Sequence, residues 1–158
     1  MQYPQRKQIR LAADQYRDPN ATASLTITIR DRHPIFQKDV LAATCYAAIA
    51  IYTRQFEVPM YAWTLMPDHA HFCLSATPRR SITQIVSDVK QLTTRIAWEH
   101  GENGIVWQRS FFDHFLRKDE NVEVVCRYIW NNAVRAGIVS DWRDYSYNGS
   151  TVYDLTRV

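Results

Sequence analysis

The sequence predicts an α+β fold, a ferredoxin-like or RRM-like antiparallel sheet with helices packed on it and an extra C-terminal helix. Three observations lead there. Periodic segments follow the order strand, helix, strand, strand, helix, strand, which is the order of a split βαβ pair. The connection Met66-Pro67-Asp68 is short enough to join its flanking strands as a hairpin. A further amphipathic stripe, Val122, Val125, Cys126 and Ile129, comes after the last strand.

The bulk composition fits that architecture. A chain of 158 residues with 46% hydrophobic content can fill one core, so a single domain is expected over 1–158. An irregular N-terminal arm is expected at 1–23 and a tail at 141–158. No run of about 18 apolar residues occurs, and Met1 to Arg10 is polar and basic where a secretory leader would be apolar. A cytoplasmic protein without a membrane partner is therefore expected. Cys45, Cys73 and Cys126 are widely spaced among apolar residues and read as reduced core thiols. The net charge of +3 and a pI near 8.8 fit a polyanion partner without requiring one.

Leu25, Ile27 and Ile29 alternate with Thr26, Thr28 and Arg30, the period of a strand with one buried face. From Lys38 to Phe56, Leu41, Cys45, Ala48 and Tyr52 recur at helical spacing. Val58 to Leu65 and His69 to Ser75 then form the two strands of the hairpin. Ser81 followed by Gln84 is a capping-box signal, continued by the stripe Ile82, Ile85, Val86, Val89, Leu92 and Ile96. Gly101 to Gly104 ends this helix, and Asp113 to Arg117 is expected as the fourth strand. For the last helix, Asp119 is the expected cap, with Glu120 and Glu123 facing its positive end and Gly137 as its stop.

Alternate residues of a strand share a face, so His69 and His71 point the same way while Ala70 points to the other side. Two imidazoles can hold a divalent ion only with a third group from elsewhere. Taken alone, a His-x-His pair is more often two ordinary strand histidines. Tyr128 and Asn132 stand four apart, one turn above each other on a continuous helix. If that helix crosses the sheet face carrying the histidines, Asn132 can complete a metal shell while Tyr128 reaches a phosphate on the same ion. Singly, Tyr128 reads as a half-buried aromatic with a wet hydroxyl and Asn132 as a polar helix-end residue.

Three stretches change that balance: Met66-Pro67-Asp68-His69-Ala70-His71-Phe72, Trp107-Gln108-Arg109-Ser110-Phe111-Phe112-Asp113-His114, and Tyr128-Ile129-Trp130-Asn131-Asn132-Ala133-Val134-Arg135-Ala136-Gly137. In content, order and spacing they resemble the REP-associated tyrosine transposases, within the single-tyrosine HUH nucleases. Arg32-His33-Pro34-Ile35-Phe36 is similar as well, so the resemblance spans Leu25 to Ser146. It implies His69, His71 and Asn132 as ligands of Mg2+ or Mn2+, and Tyr128 as the nucleophile that forms a 5′-phosphotyrosine. It implies single-stranded DNA beside a hairpin as substrate, strand transfer as outcome, and a bacterial cytoplasmic setting at the nucleoid. Relatives include dimers that exchange the tyrosine helix as well as monomers, and a homodimer stays open here.

Departures from the pattern are Asp68 where relatives have Asn, Ala133 where they have Pro, and Trp130 where many have His. Arg79, Arg80, Lys90, Arg95, Arg109, Lys118, Arg127 and Arg135 are the candidate phosphate contacts, and Trp107, Phe111, Phe112 and Trp130 offer faces for unpaired bases. For most of them singly, a solvated surface or a core aromatic is the simpler reading. His114 is left outside the metal shell. Two rivals stand beside the transposase reading: a nucleic-acid binding module without catalysis, and a metal-dependent hydrolase of small phosphoesters in which water attacks.

Overall fold

The structure is a computed structural model that describes residues 12–158. Its sheet has five strands in the order β4-β1-β3-β2-β5: β1 Thr22–Thr28, β2 Met60–Met66, β3 His69–Ser75, β4 Phe112–Phe115 and β5 Asn148–Gly149. All neighbouring pairs are antiparallel. The first four strands have the ferredoxin-like order, with α1 Asp39–Gln55 and α2 Ile82–Glu99 as the crossovers.

Strand alternation sorts the side chains into two faces. Ala23, Leu25, Ile27, Trp63, Leu65, Ala70, Phe72 and Leu74 join the main core with Leu41, Cys45 and Ile49 of α1 and Ile82, Ile85 and Val89 of α2. The opposite face carries Thr26, His71 and Thr64 in one cross-strand row and Ser24, Cys73 and Ala62 in the next. A second core covers part of it: Ala62 and Cys73 pack with Cys126, Ile129 and Trp130 of α3 Val122–Trp130, and with Trp142. The sheet is thus buried on both faces at β2 and β3. At β1 and β4 the second face is more open, with half-buried Thr22, Ser24, Thr26 and Thr28 and with Phe112 60% exposed.

Several expectations need correcting. Of the arm expected at 1–23, residues 1–11 lie outside the described residues; β1 claims Thr22 and Ala23, and buried Tyr16 packs edge-on against Phe111 and Phe115. The fourth strand starts one residue early and stops at Phe115, where its pairing with Ala23 ends. The cap of α3 is Asn121, not Asp119: its side chain accepts from the Glu123 and Val124 amides, at 2.8 and 3.3 Å. Glu120 lies before the helix and accepts from His114.

The tail expected at 141–158 is built into the fold. Trp142 stacks on Trp130 at 5.3 Å and 18°, and β5 extends the sheet beside Trp63 and Thr64. The signal was weak because a two-residue strand has no period to read. Gly149 is required there: a Cβ at this position would fall 2.2 Å from the Trp63 ring. Gly149→Ala is therefore expected to displace Trp63 and lower stability by about 1–3 kcal/mol, the usual cost of overpacking, read as a fall in the urea midpoint at unchanged slope.

Candidate active site

The direction of α3 brings its C-terminal end towards the histidines. Midway along the helix, Cys126 packs on Cys73 of β3, the two free thiols lying within hydrogen-bonding reach of each other. Trp130 Nε1 then donates to the Gly149 carbonyl at 3.1 Å, and Asn148 Nδ2 donates to the Trp130 carbonyl at 3.0 Å. Asn148 pairs with Thr64, and Thr64 with His71. The chain has therefore advanced from the Cys73 row to the His71 row by Trp130, and Asn132 follows two residues later.

One expectation about this helix fails. Tyr128 and Asn132 do not share one continuous helix: α3 ends at Trp130, Asn131 turns with ψ near 1°, and α4 Asn132–Arg135 restarts. Ala133 is buried and leads the chain on to Gly137, whose φ of 73° ends the segment. Asn132 turns its Nδ2 back to the Ile129 carbonyl at 2.9 Å, a bond that does not use Oδ1. Tyr128 is 62% exposed. Its ring lies under the Arg135 guanidinium at 3.7 Å, and its carbonyl accepts from Arg135 Nη2 at 2.8 Å. The phenol is not hydrogen-bonded to either imidazole; the tie between Tyr128 and the histidines runs through Arg135, whose charge acts on His71.

The two imidazoles lie edge to face with centroids 4.8 Å apart. Each is held through Nδ1: His69 by Asp68 Oδ1 at 2.6 Å, and His71 by Thr26 Oγ1 at 2.9 Å. Nδ1 anchoring of this kind leaves Nε2 as the outward nitrogen, which is how metal-binding histidines are commonly oriented. His71 is held neutral, with its pKa lowered to about 4 by burial, by His69 and by Arg135. Partial burial pushes the Asp68 carboxyl up, but hydrogen bonds and charge from His69 and Arg32 outweigh this and hold it below its ordinary value. Among the described residues no group of three or more His, Cys, Asp or Glu is placed to hold a metal. A two-histidine site here would need a neutral oxygen such as Asn132 Oδ1.

Asp68 and His114 can now be placed. Both carboxylate oxygens of Asp68 are engaged, one by His69 and one by Arg32 at 3.2 Å. His114 sits on the Ser24 row, next to the His71 row, and its Nε2 is bound to Glu120 at 2.9 Å. Arg32 was not singled out by sequence reasoning, and only its place in the Arg32-His33-Pro34-Ile35-Phe36 stretch could have flagged it.

The candidate phosphate contacts divide by location. Arg135 stands at the site, and Arg127 pairs with Glu123 along α3. Arg109 and Lys118 are exposed in the segments flanking β4. Arg80 and Arg95 line a groove between α1 and α2, behind the sheet, where Arg80 is paired with Asp88. Lys90 donates to the Gln108 and Ser110 carbonyls and so ties that loop to α2, while Arg79 sits in the turn before α2. The structure does not gather Arg79, Arg80, Lys90 and Arg95 around the histidines.

The site thus combines a histidine pair on one face of a ferredoxin-like sheet with a tyrosine-bearing helix packed over that face. The profile described as "Transposase IS200 like" matches residues 19–132, and the chain belongs to this IS200-like transposase family. No curated protein matches it. Among solved structures it is similar to a REP-associated tyrosine transposase bound to a REP hairpin, with a TM-score of 0.66 and 18% identity over 84% of this chain and 78% of that one. It is also similar to a protein from Deinococcus radiodurans R1 assigned as a transposase, with a TM-score of 0.52 and 23% identity over 70% of this chain and 88% of that one. At these identities the likeness establishes the fold.

The state of His71 has a consequence for pH. Its folded pKa of about 4 lies below the ordinary 6.5, so between those values the unfolded chain binds more protons and stability falls as pH falls. From pH 7 to pH 5 the loss is expected to be roughly 2 kcal/mol, measured by urea unfolding in chelator-treated buffer. His71→Asn is expected to flatten that slope.

Proposed function

We propose that this chain cuts and rejoins single-stranded DNA next to a hairpin, with Tyr128 as nucleophile and a divalent cation, Mg2+ or Mn2+, held by His69, His71 and Asn132. The observation that carries the reading is the pair of imidazoles anchored at Nδ1 on the sheet face that α3 covers. Membership of a transposase family supplies the reaction class. The solved relative with a bound REP hairpin suggests the form of the DNA, and a REP-like element is the substrate proposed here.

When bound, the cation would neutralise charge on the scissile phosphate and orient it. The chain's own residues do the rest. The Tyr128 oxygen attacks phosphorus as the phenolic proton leaves to solvent. The bond from phosphorus to the 3′ oxygen breaks, and that oxygen takes up a proton, so the products are a 3′-hydroxyl and a 5′-phosphotyrosine. Attack by another 3′-hydroxyl reverses the step and joins strands, with the energy of the broken bond kept in the ester. Only about one free phenol in a thousand is ionised near neutral pH, so positive charge beside Tyr128 matters. Arg135, stacked on the ring, supplies it and can meet the phosphate from the same side.

The test is incubation of the protein with hairpin-bearing, end-labelled single-stranded oligonucleotides and Mg2+, followed by denaturing electrophoresis. A slower band containing protein and label is expected, and Tyr128→Phe should reduce it by at least about a thousand-fold while hairpin binding persists. Binding without any adduct in the unaltered protein would leave a binding module in place of an enzyme. Turnover of a small phosphoester without adduct would favour attack by water.

A further inference from the structure

The third residue of the Met66-Pro67-Asp68 turn is joined to a part of the molecule that plays no role in the reaction described above. Asp68 Oδ1 lies 2.6 Å from His69 Nδ1, and Asp68 Oδ2 accepts from Arg32 Nη1 at 3.2 Å. An ionised carboxylate only accepts hydrogen bonds, so the hydrogen between Asp68 and His69 sits on the imidazole nitrogen. In the neutral ring that places the lone pair on Nε2. His71 has a weaker counterpart, because its Nδ1 faces the Thr26 hydroxyl, which can donate or accept.

Arg32 is held where it can do this. Asp31 and Arg32 both adopt left-handed backbone, with φ of 56° and 53°, a conformation that non-glycine residues keep only where the surroundings impose it. The surroundings are specific. The Ile29 amide donates to the Asp68 carbonyl at 2.9 Å, the Arg30 amide to Val106 at 2.8 Å, and the Phe36 amide to Pro67 at 3.1 Å. The loop after β1 is therefore stitched to the hairpin turn on either side of Arg32, and its guanidinium meets the carboxylate from outside.

Taking His69 as a metal ligand, as in the function proposed above, we infer that Arg32 and Asp68 are positioning residues that fix the orientation and tautomer of His69. Asp68 acts through His69, its two oxygens serving the imidazole and the guanidinium. The two ligand histidines are then unequal, His69 backed by an anchored charge and His71 by a neutral hydroxyl.

The experiment uses the full chain with Mn2+ as probe, titrated by the paramagnetic signal of the free ion, and nitrogen-15 imidazole spectra of the metal-free protein. In the spectra, His69 should carry its proton on Nδ1, and Asp68→Asn should give a mixture of tautomers, because an amide can donate or accept at that position. In the titration, Asp68→Asn should weaken Mn2+ about 10-fold to 100-fold, the range for loss of an outer partner of a ligand. Arg32→Gln should weaken it several-fold, and Thr26→Val less than Asp68→Asn. Arg32 is largely exposed, so its variant guards against a folding defect in the Asp68 variant. Equal affinity in all variants, or mixed His69 tautomers in the unaltered protein, overturns the inference. If the unaltered protein binds no Mn2+, the metal reading of the site fails by itself, and the spectra still decide whether Asp68 sets the tautomer.

Discussion

The packing of α3 against the second face of the sheet is the constraint on which the rest of this molecule depends. A ferredoxin-like sheet with two crossover helices has one covered face and one bare face. Here Cys126, Ile129 and Trp130 sit over Ala62 and Cys73, and fully buried Trp130 is held between Trp142, the Gly149 carbonyl and the Asn148 amide. That contact takes the tyrosine-bearing segment to the histidine row. It also explains why the tail is ordered into the sheet: Trp142, Asn148 and Gly149 are the other half of the Trp130 pocket. Trp130, with none of its surface exposed, is a packing residue of this second core.

The charged groups near the histidines are arranged in two strings, one on each side of the imidazole pair. Arg32 and Asp68 approach His69 from the loop side, and Arg135 approaches His71 from α4 while covering Tyr128. Arg32 is paired with Asp68, whereas Arg135 stacks on the Tyr128 ring and gives its Nη2 to a backbone carbonyl. Arg135 is thus the cation beside Tyr128 and His71 whose charge is left to meet an anion.

Much of this was legible in the sequence, for physical reasons that can be named. Alternation placed His69 and His71 on one face because a strand has no other way to present residues two apart. The Ser81 to Gln84 cap and the stripe of α2 appear as read. Tyr128 and Asn132 were harder: helical spacing suggested one turn, but Asn131 flattens its ψ and divides the segment, a local choice that carries no periodic signal. Asn121 displaced Asp119 as cap because two acceptable capping residues stand two apart, and packing of Val122 and Val125 selects between them. Arg32 was hidden because its role depends on a loop meeting a turn that is 36 residues away in the chain. The lysine and arginines on or before α2 looked like site residues only until the sheet was seen to separate them from it.

The two margins of the sheet are β4, with four residues, and β5, with two. Such short edges are poor templates for another strand, because few unpaired amides and carbonyls line up along them. A second molecule would find little purchase for extending this sheet sideways. The fold is thereby guarded against growing into a continuous ribbon.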